Sequence, residues 1–227
     1  KIMEDQMFLD CFGCDIDYSL GKNFADFADQ FSKDSRYRTE LYKLRRKFMS
    51  HADGLIHADL HTSNIMASRD KMKVIDMEFA FMGPFGYDLG YLVGNLISQY
   101  CAACFKRFPS EQNRKQFKAY LLATIKSLIE TYMKTFTLCW EKSVKERYRG
   151  QQGLLQSILQ EVMEDVPGYA SMVNWFRSVS EIPYPDFDII EDKDAKRNAT
   201  VLSLMIDWGI MFGRYKYQSA DDLIETI

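Results

Sequence analysis

The sequence is short of several things, and each shortage bears on what the chain can be. No apolar run reaches the roughly 18 residues that a membrane-spanning helix needs. Basic residues are not in excess: 29 Lys and Arg stand against 32 Asp and Glu, a formal charge of -3. Non-specific nucleic-acid binding therefore has no whole-chain electrostatic support, and only a local patch would serve. The opening "KIMEDQMFLD" has acids where a secretory signal carries its apolar core, so a soluble, cytoplasmic protein without a membrane partner is expected. There are no internal repeats and no low-complexity tracts. Histidine is scarce as well, with three in the chain.

Cysteine is sparse and odd in number, five in all. Two C-x-x-C pairs, Cys11/Cys14 and Cys101/Cys104, invite a zinc reading. The gap between them is far longer than the ~15–20 residues that separate paired zinc knuckles. Cys101 and Cys104 also continue an apolar helical pattern, where small buried thiols are common. Reduced thiols are the expectation.

What is present is ordinary globular material. Hydrophobic residues make up 47% of the 227 and charged ones 27%, enough for one large domain or two small ones. Both ends read as cut: the chain opens on Lys1, and "SADDLIETI" starts a capped helix at Ser219 that stops without a stop signal. A longer parent chain is expected.

Apolar and aromatic residues recur at helical spacing over 23–31 and 34–53. Gly54 ends the second helix. "LIHA", "NIMAS" and "KVIDM" are short β-compatible runs, with "SRDK" as a tight turn between the last two. A buried helix is expected over 88–104 with Asp88 as its N-cap. Pro109 and Ser110 open a long helical stretch to about Arg149, broken once. Another starts near Gln152 and is interrupted by "DVPGY". The acidic 181–194 segment, with two prolines, reads as a loop or substrate-side connection, and a last helix spans roughly 196–214. The fold class is mainly α with a small β hairpin insertion (α+β).

That insertion holds the ligand-type residues. Asp59 follows a short strand, Asn64 lies five residues on at the start of the next, and Asp76 and Glu78 follow the apolar "KVI". Phosphoryl transfer needs a carboxylate near the attacking hydroxyl and oxygen ligands for Mg²⁺, and an Asp, an amide and a second Asp on adjacent strand ends supply both. Singly, each would be a turn residue. The rival is a hydrolytic metal centre: His57, Asp59 and His61 alternate, so an extended segment would put all three on one face. Against it, the downstream groups are hard oxygen ligands, and the remaining imidazole, His51, sits on the preceding helix. His57 then reads as a brace for the loop. "DID" at 15–17 follows no apolar strand and does not read as a phosphatase pair. "SLGKNF" (19–24) lacks the rest of a P-loop and reads as a turn.

The runs "IHADLHTSNIMAS" and "KVIDMEFAFMGPFGYDLG" resemble the aminoglycoside-phosphotransferase-like small-molecule kinases, and among them the methylthioribose kinases. That family shares an H-G-D-x-H-x-x-N catalytic loop, an I-D-x-E metal loop, and a D-P-E-F-A-F-Y-G-P-x-G-F-D-I-G continuation. The resemblance is dense over 54–95. It implies the C-terminal lobe of a protein-kinase-like fold and transfer of the γ-phosphoryl of ATP to O1 of 5-methylthioribose, a step of methionine salvage. It implies Asp59 as catalytic aspartate, His57 as its brace, and Asn64, Asp76 and Glu78 as the Mg²⁺ set. Asp88, and with it His61, would support the catalytic loop. A homodimer is implied as well. Another acceptor of the same superfamily, or a non-catalytic scaffold lobe, are the alternatives.

Three positions depart from the family pattern. Ala58 replaces a glycine and Met77 a proline, which suits a backbone whose torsions stay negative at both. The late pair of adjacent arginines is reduced to Gly213-Arg214, leaving Arg214 as substrate-binding candidate. No Gly-rich loop or V-A-x-K-like strand reads as a nucleotide lobe, so residues 1–227 are expected to be the C-terminal lobe by itself.

Overall fold

The computed structural model describes residues 2–9, 20–179 and 184–227. The elements in chain order are α1 (Ile2–Glu4), α2 (Lys22–Lys33), α3 (Ser35–Ser50), β1 (Gly54–Ile56), β2 (Ile65–Ala67), β3 (Met72–Val74), β4 (Phe81–Gly83), α4 (Tyr87–Phe105), α5 (Glu111–Ser143), α6 (Gln152–Val179), α7 (Pro185–Asp188), α8 (Lys193–Gly213) and α9 (Ala220–Thr226). A π-helical turn, Asp5–Leu9, continues α1. The chain is mainly helical with a small β insertion, as the sequence implies.

Local chemistry accounts for most of these boundaries. Asp34 caps α3, its carboxylate accepting from the N–H groups of Arg36 at 2.8 Å and Tyr37 at 3.3 Å. Tyr37, Leu41, Leu44 and Phe48 then recur at three- and four-residue intervals and are buried, which fixes the inward face of α3. Ser110 caps α5 and Ser219 forms a reciprocal capping box with Asp222 at the start of α9. The strands form two antiparallel pairs. β1 lies beside β4 with Leu55 opposite Met82, and β2 beside β3 with Ile65 opposite Val74.

α4 and α6 form the spine, and the two apolar cores meet along it. Glycines permit their close approach. A Cβ at Gly90 would stand 2.7 Å from that of Tyr169, and one at Gly94 2.5 Å from the Ala170 carbonyl oxygen. One core gathers aromatic rings around Trp175, with Phe31 stacked on it at 5.1 Å. The other runs through Ile97, Ile125 and Ile210, all fully buried.

Four expectations need correction. "DVPGY" does not interrupt α6, which runs through Pro167. The proline leaves the Met163 carbonyl without its N–H partner, and burial of residues Asp165 to Phe176 against α4 and α8 holds the helix together across that gap. Asp88 does not cap α4: the cap position is Gly86, and Asp88 lies within the first turn. The strand β4 is absent from the sequence reading because "FMG" is short and ends on glycine. In the 181–194 region, residues from Tyr184 onward are described, and they include the helical turn α7 rather than loop alone. Cys11, Cys14 and the "DID" stretch lie outside the described residues; Cys101 and Cys104 sit on α4, the first fully buried. No helix among the described residues is long and apolar enough to cross a membrane.

Candidate active site

The loop 57–64 leaves β1 and is held from below by α4. The Asp88 carboxylate accepts from the backbone N–H of His57 at 2.6 Å and of Ala58 at 2.9 Å. Both carboxylate oxygens are thus committed to the loop. Burial pushes the Asp88 carboxyl above its usual value, and the two N–H donors oppose that rise. Two helical turns further along α4, Asn95 Oδ1 accepts from the Thr62 N–H at 3.1 Å and the Thr62 hydroxyl at 2.7 Å. Two side chains of one helix therefore pin the two ends of the loop.

The chain turns sharply between those pins. Ala58 has φ +68°, so the expectation of negative torsions fails there. The turn that lets one carboxylate grip both neighbouring N–H groups needs this left-handed residue, and alanine bears it at a cost of about 1–2 kcal/mol. Met77 meets the expectation; the strain falls instead on its neighbour Asp76, at φ +65°. Among the described residues these two are the non-glycine positions with positive φ, and both flank the same site.

His57 ties the halves together. Its ring is buried, and Nε2 donates to the Ile75 carbonyl at 2.8 Å, while Nδ1 accepts from the Asp59 N–H at 3.3 Å. Asn64, also buried, donates its amide to the Asp59 carbonyl at 3.0 Å, and among the described residues no donor reaches its side-chain oxygen. The Ile75 N–H reaches the Asn64 carbonyl at 3.0 Å, so Asp76, the next residue, stands beside Asn64 across the hairpin. Asp76 and Glu78 are both exposed.

The Asp59 carboxylate lies 3.5 Å from His61 Nε2. Burial pushes its carboxyl up, but His61, the Tyr91 hydroxyl and the His57 imidazole outweigh that and hold it below the usual range. His57, Asp59 and His61 do not share one face, because the turn at Ala58 and the His61 N–H bond to the Asp59 carbonyl at 3.0 Å break the extended run. Among the described residues no three His, Cys, Asp or Glu side chains stand together as a metal cluster, so the histidine-rich hydrolytic centre loses its geometry. His51 ends α3 and points toward Glu161 at 3.9 Å.

Asp59, His61 and Ser63 face a cavity of about 380 Å³. Phe176 and Arg177 at the end of α6, Tyr184, Met3, Met7 and Phe79 line it as well. A larger, mostly apolar hollow of about 600 Å³ adjoins it across Phe79, lined by Phe48, Phe81 and Met82. Arg214, the substrate-binding candidate, does not line the cavity. It is buried elsewhere, donating to the Glu164 carbonyl and Glu40, each at 3.2 Å, with Asp165 4.0 Å away. The sequence reading missed Arg177, which lies mid-run in "VNWFRSVSE" with no motif around it.

Residues 17–128 match the model of the phosphotransferase enzyme family. Over 226 residues the chain is 32% identical to the methylthioribose kinase of Geobacillus thermodenitrificans (strain NG80-2), covering 98% of this chain and 54% of that protein. It is 30% identical over 223 residues to the methylthioribose kinase of Geobacillus sp. (strain WCH70), covering 98% and 53%. The methylthioribose kinase of Bacillus cereus (strain B4264) is 28% identical over 221 residues, with 97% and 53% covered. The chain thus spans about half the length of the relatives it matches.

Proposed function

We propose that this chain, which belongs to the phosphotransferase enzyme family beside the methylthioribose kinases, is the acceptor-binding, catalytic lobe of an ATP-dependent kinase that converts 5-methylthioribose to 5-methylthioribose 1-phosphate in methionine salvage. The observation that carries the reading is the double grip of Asp88 on the His57 and Ala58 N–H groups, which turns the chain so that Asp59 meets the cavity.

In this reading Asp59 accepts the proton of the acceptor's O1 hydroxyl as that oxygen bonds to the γ-phosphorus and the bond to the departing ADP oxygen breaks. Its depressed carboxyl keeps it ionised for that task. His57 and Asn64 hold the loop in which it sits. The Asn64 side-chain oxygen and the Asp76 carboxylate are hard oxygen donors on adjoining chain segments, a pair suited to Mg²⁺, with Glu78 as a further acid. Mg²⁺, when bound, would neutralise charge on the phosphates. The lobe assignment, the Mg²⁺ set, a cytoplasmic setting and independence from nucleic acid belong to this same proposal. The net charge of -3 supports the last.

The test is ATP turnover with 5-methylthioribose and Mg²⁺, on this chain and on any longer protein that contains it. Sugar-dependent ADP release supports the reading. Turnover with another hydroxyl acceptor alone would reassign the substrate, and no transfer to any acceptor would overturn the kinase.

A further inference from the structure

Three groups that the reaction does not use meet where α4 ends against α5. Cys101 and Cys104 stand one turn apart at the end of α4, and both are free thiols. Cys101 is fully buried, whereas Cys104 is half-exposed. Lys118 reaches across from α5. Its ammonium hydrogen-bonds the Cys104 sulfur and lies 5.0 Å from the centre of the Tyr100 ring. Among the described residues no carboxylate forms an ion pair with Lys118, so its charge is left to the sulfur.

The two thiols are therefore unlike. An ammonium beside Cys104 stabilises the negative charge that a sulfur carries when it attacks. Burial pushes the Cys101 thiol well above its ordinary value, and Asp207 on α8 adds to the rise. An accessible sulfur faced by a cation, with a buried protonated thiol one turn behind it, has the parts of a peroxide-reactive pair: the first attacks and the second resolves.

Cα atoms three residues apart in an α-helix are separated by about 5 Å, inside the roughly 4.4–6.8 Å that a disulfide spans. Their Cβ atoms diverge around the helix, so the bond closes only if the turn that carries them opens. The last turn of α4 is able to open, because the final carbonyls of a helix have no partners further along it. Its closing bond runs from the N–H of the cap residue Lys106 to the Ala102 carbonyl at 2.8 Å.

We infer that Cys101 and Cys104 form a redox-sensitive dithiol, oxidised by hydrogen peroxide through Cys104 to an intrahelical disulfide that loosens the end of α4. The Cys104 sulfur bonds to one peroxide oxygen, the O–O bond breaks, and the thiol proton leaves with the other oxygen as water. The Cys101 sulfur then bonds to the sulfur of the Cys104 sulfenic acid. The S–O bond breaks, and a second water carries off the Cys101 proton. Two thiols are oxidised to one disulfide while one peroxide is reduced to two waters. The turn that opens also holds Gln99, whose carbonyl and that of Tyr100 accept N–H groups of that turn in the helical ladder. Gln99 gives its amide to Asp186 of α7, and the first residue of α7, Pro185, lines the cavity. Oxidation at the end of α4 is thereby passed to the cavity. None of this depends on the kinase reading.

The experiment treats the reduced full chain with hydrogen peroxide and follows its peptides by mass. The tryptic peptide 74–106 carries both thiols and no other cysteine; it should lose two hydrogens and regain them with dithiothreitol. In Cys101→Ala, which keeps the site small and apolar, dimedone should trap a sulfenic acid on Cys104, and in wild type it should trap at least about fivefold less. Lys118→Met should slow alkylation of Cys104 by iodoacetamide about tenfold, and Lys118→Arg should restore most of the rate. Amide exchange over 184–190 should quicken on oxidation of wild type but not of Cys104→Ser. A peptide that keeps its two hydrogens under peroxide, or that links to another peptide instead, would overturn the dithiol. Equal dimedone trapping in wild type and Cys101→Ala would overturn Cys101 as the resolving thiol. An alkylation rate unmoved in Lys118→Met would overturn the part given to Lys118. Unchanged exchange over 184–190 in fully oxidised wild type would overturn the link to the cavity. All of these are read without ATP or sugar, so a failure of the kinase reading moves none of them.

Discussion

At the scale of single residues the site is a set of commitments made by side chains that cannot meet them in any other way. Asp59→Asn should lower kcat by about 10²–10⁴ with nucleotide affinity nearly unchanged, because an amide cannot take the hydroxyl proton; kinetics and a nucleotide titration together check this. Asp88→Asn should destabilise the protein by about 1–3 kcal/mol, since its amide nitrogen would face an N–H donor where an oxygen now accepts. Urea unfolding measures that loss. Much of this scale was legible in the sequence: the spacing of Asp59, Asn64 and Asp76 around short apolar runs pointed to one site, and the fold brings them to one loop and hairpin. The left-handed turn at Ala58 was not legible, because alanine carries no mark of positive φ. The place of Arg214 was not legible either. Its partners Glu40 and Asp165 are distant in sequence, and only the packing of α3 on α6 brings them together.

At the scale of elements, the α4–α6 contact sets the positions of everything above it. Gly94→Ala would push a methyl to within 2.5 Å of the Ala170 carbonyl oxygen, which is backbone and cannot swing aside. A loss of about 1–3 kcal/mol is expected in denaturant unfolding. Midway along α6, burial raises the Asp165 carboxyl to about 6 from an ordinary 3.8, against the pull of Lys47 at 2.5 Å and of Arg214. A carboxyl with a raised folded-state value holds its proton more tightly when folded. Its contribution to stability is therefore full below about pH 4 and is lost as pH rises toward 6. Unfolding at pH 4 and pH 6.5 should show that decrement in wild type, and the difference should shrink in Asp165→Asn. Helix starts were readable from their capping residues, Ser110 and Ser219 among them. The continuity of α6 through Pro167 was not, since local propensity argues for a break and only burial on both sides overrules it.

At the scale of the molecule, the hairpin strands present apolar side chains outward: Leu55 is 68% exposed and Met72 70%. Exposed apolar area of this kind promotes association. Leu55→Lys and Met72→Lys should raise the concentration at which the chain stays monodisperse, with stability changed by no more than about 0.5 kcal/mol; light scattering and thermal unfolding measure the two effects. The mainly helical architecture followed from periodicity alone, whereas the pairing of β1 with β4 across the whole site did not, since strands this short carry almost no pattern.

The helix α5 has 33 residues, so its axis extends about 50 Å. A compact chain of 227 residues has a radius of gyration of about 17 Å, which corresponds to a ball roughly 45 Å across. Past Ile129 no residue of the helix is fully buried, and Tyr132, Met133 and Phe136 give the last packing against the body before it ends at Ser143. At fixed mass, friction in solution rises with such elongation. A single copy of this 26.5 kDa chain should therefore leave a gel-filtration column slightly ahead of compact standards of its weight, with an apparent mass above its own. A shape-independent mass, from sedimentation equilibrium or static scattering, separates that elongation from self-association.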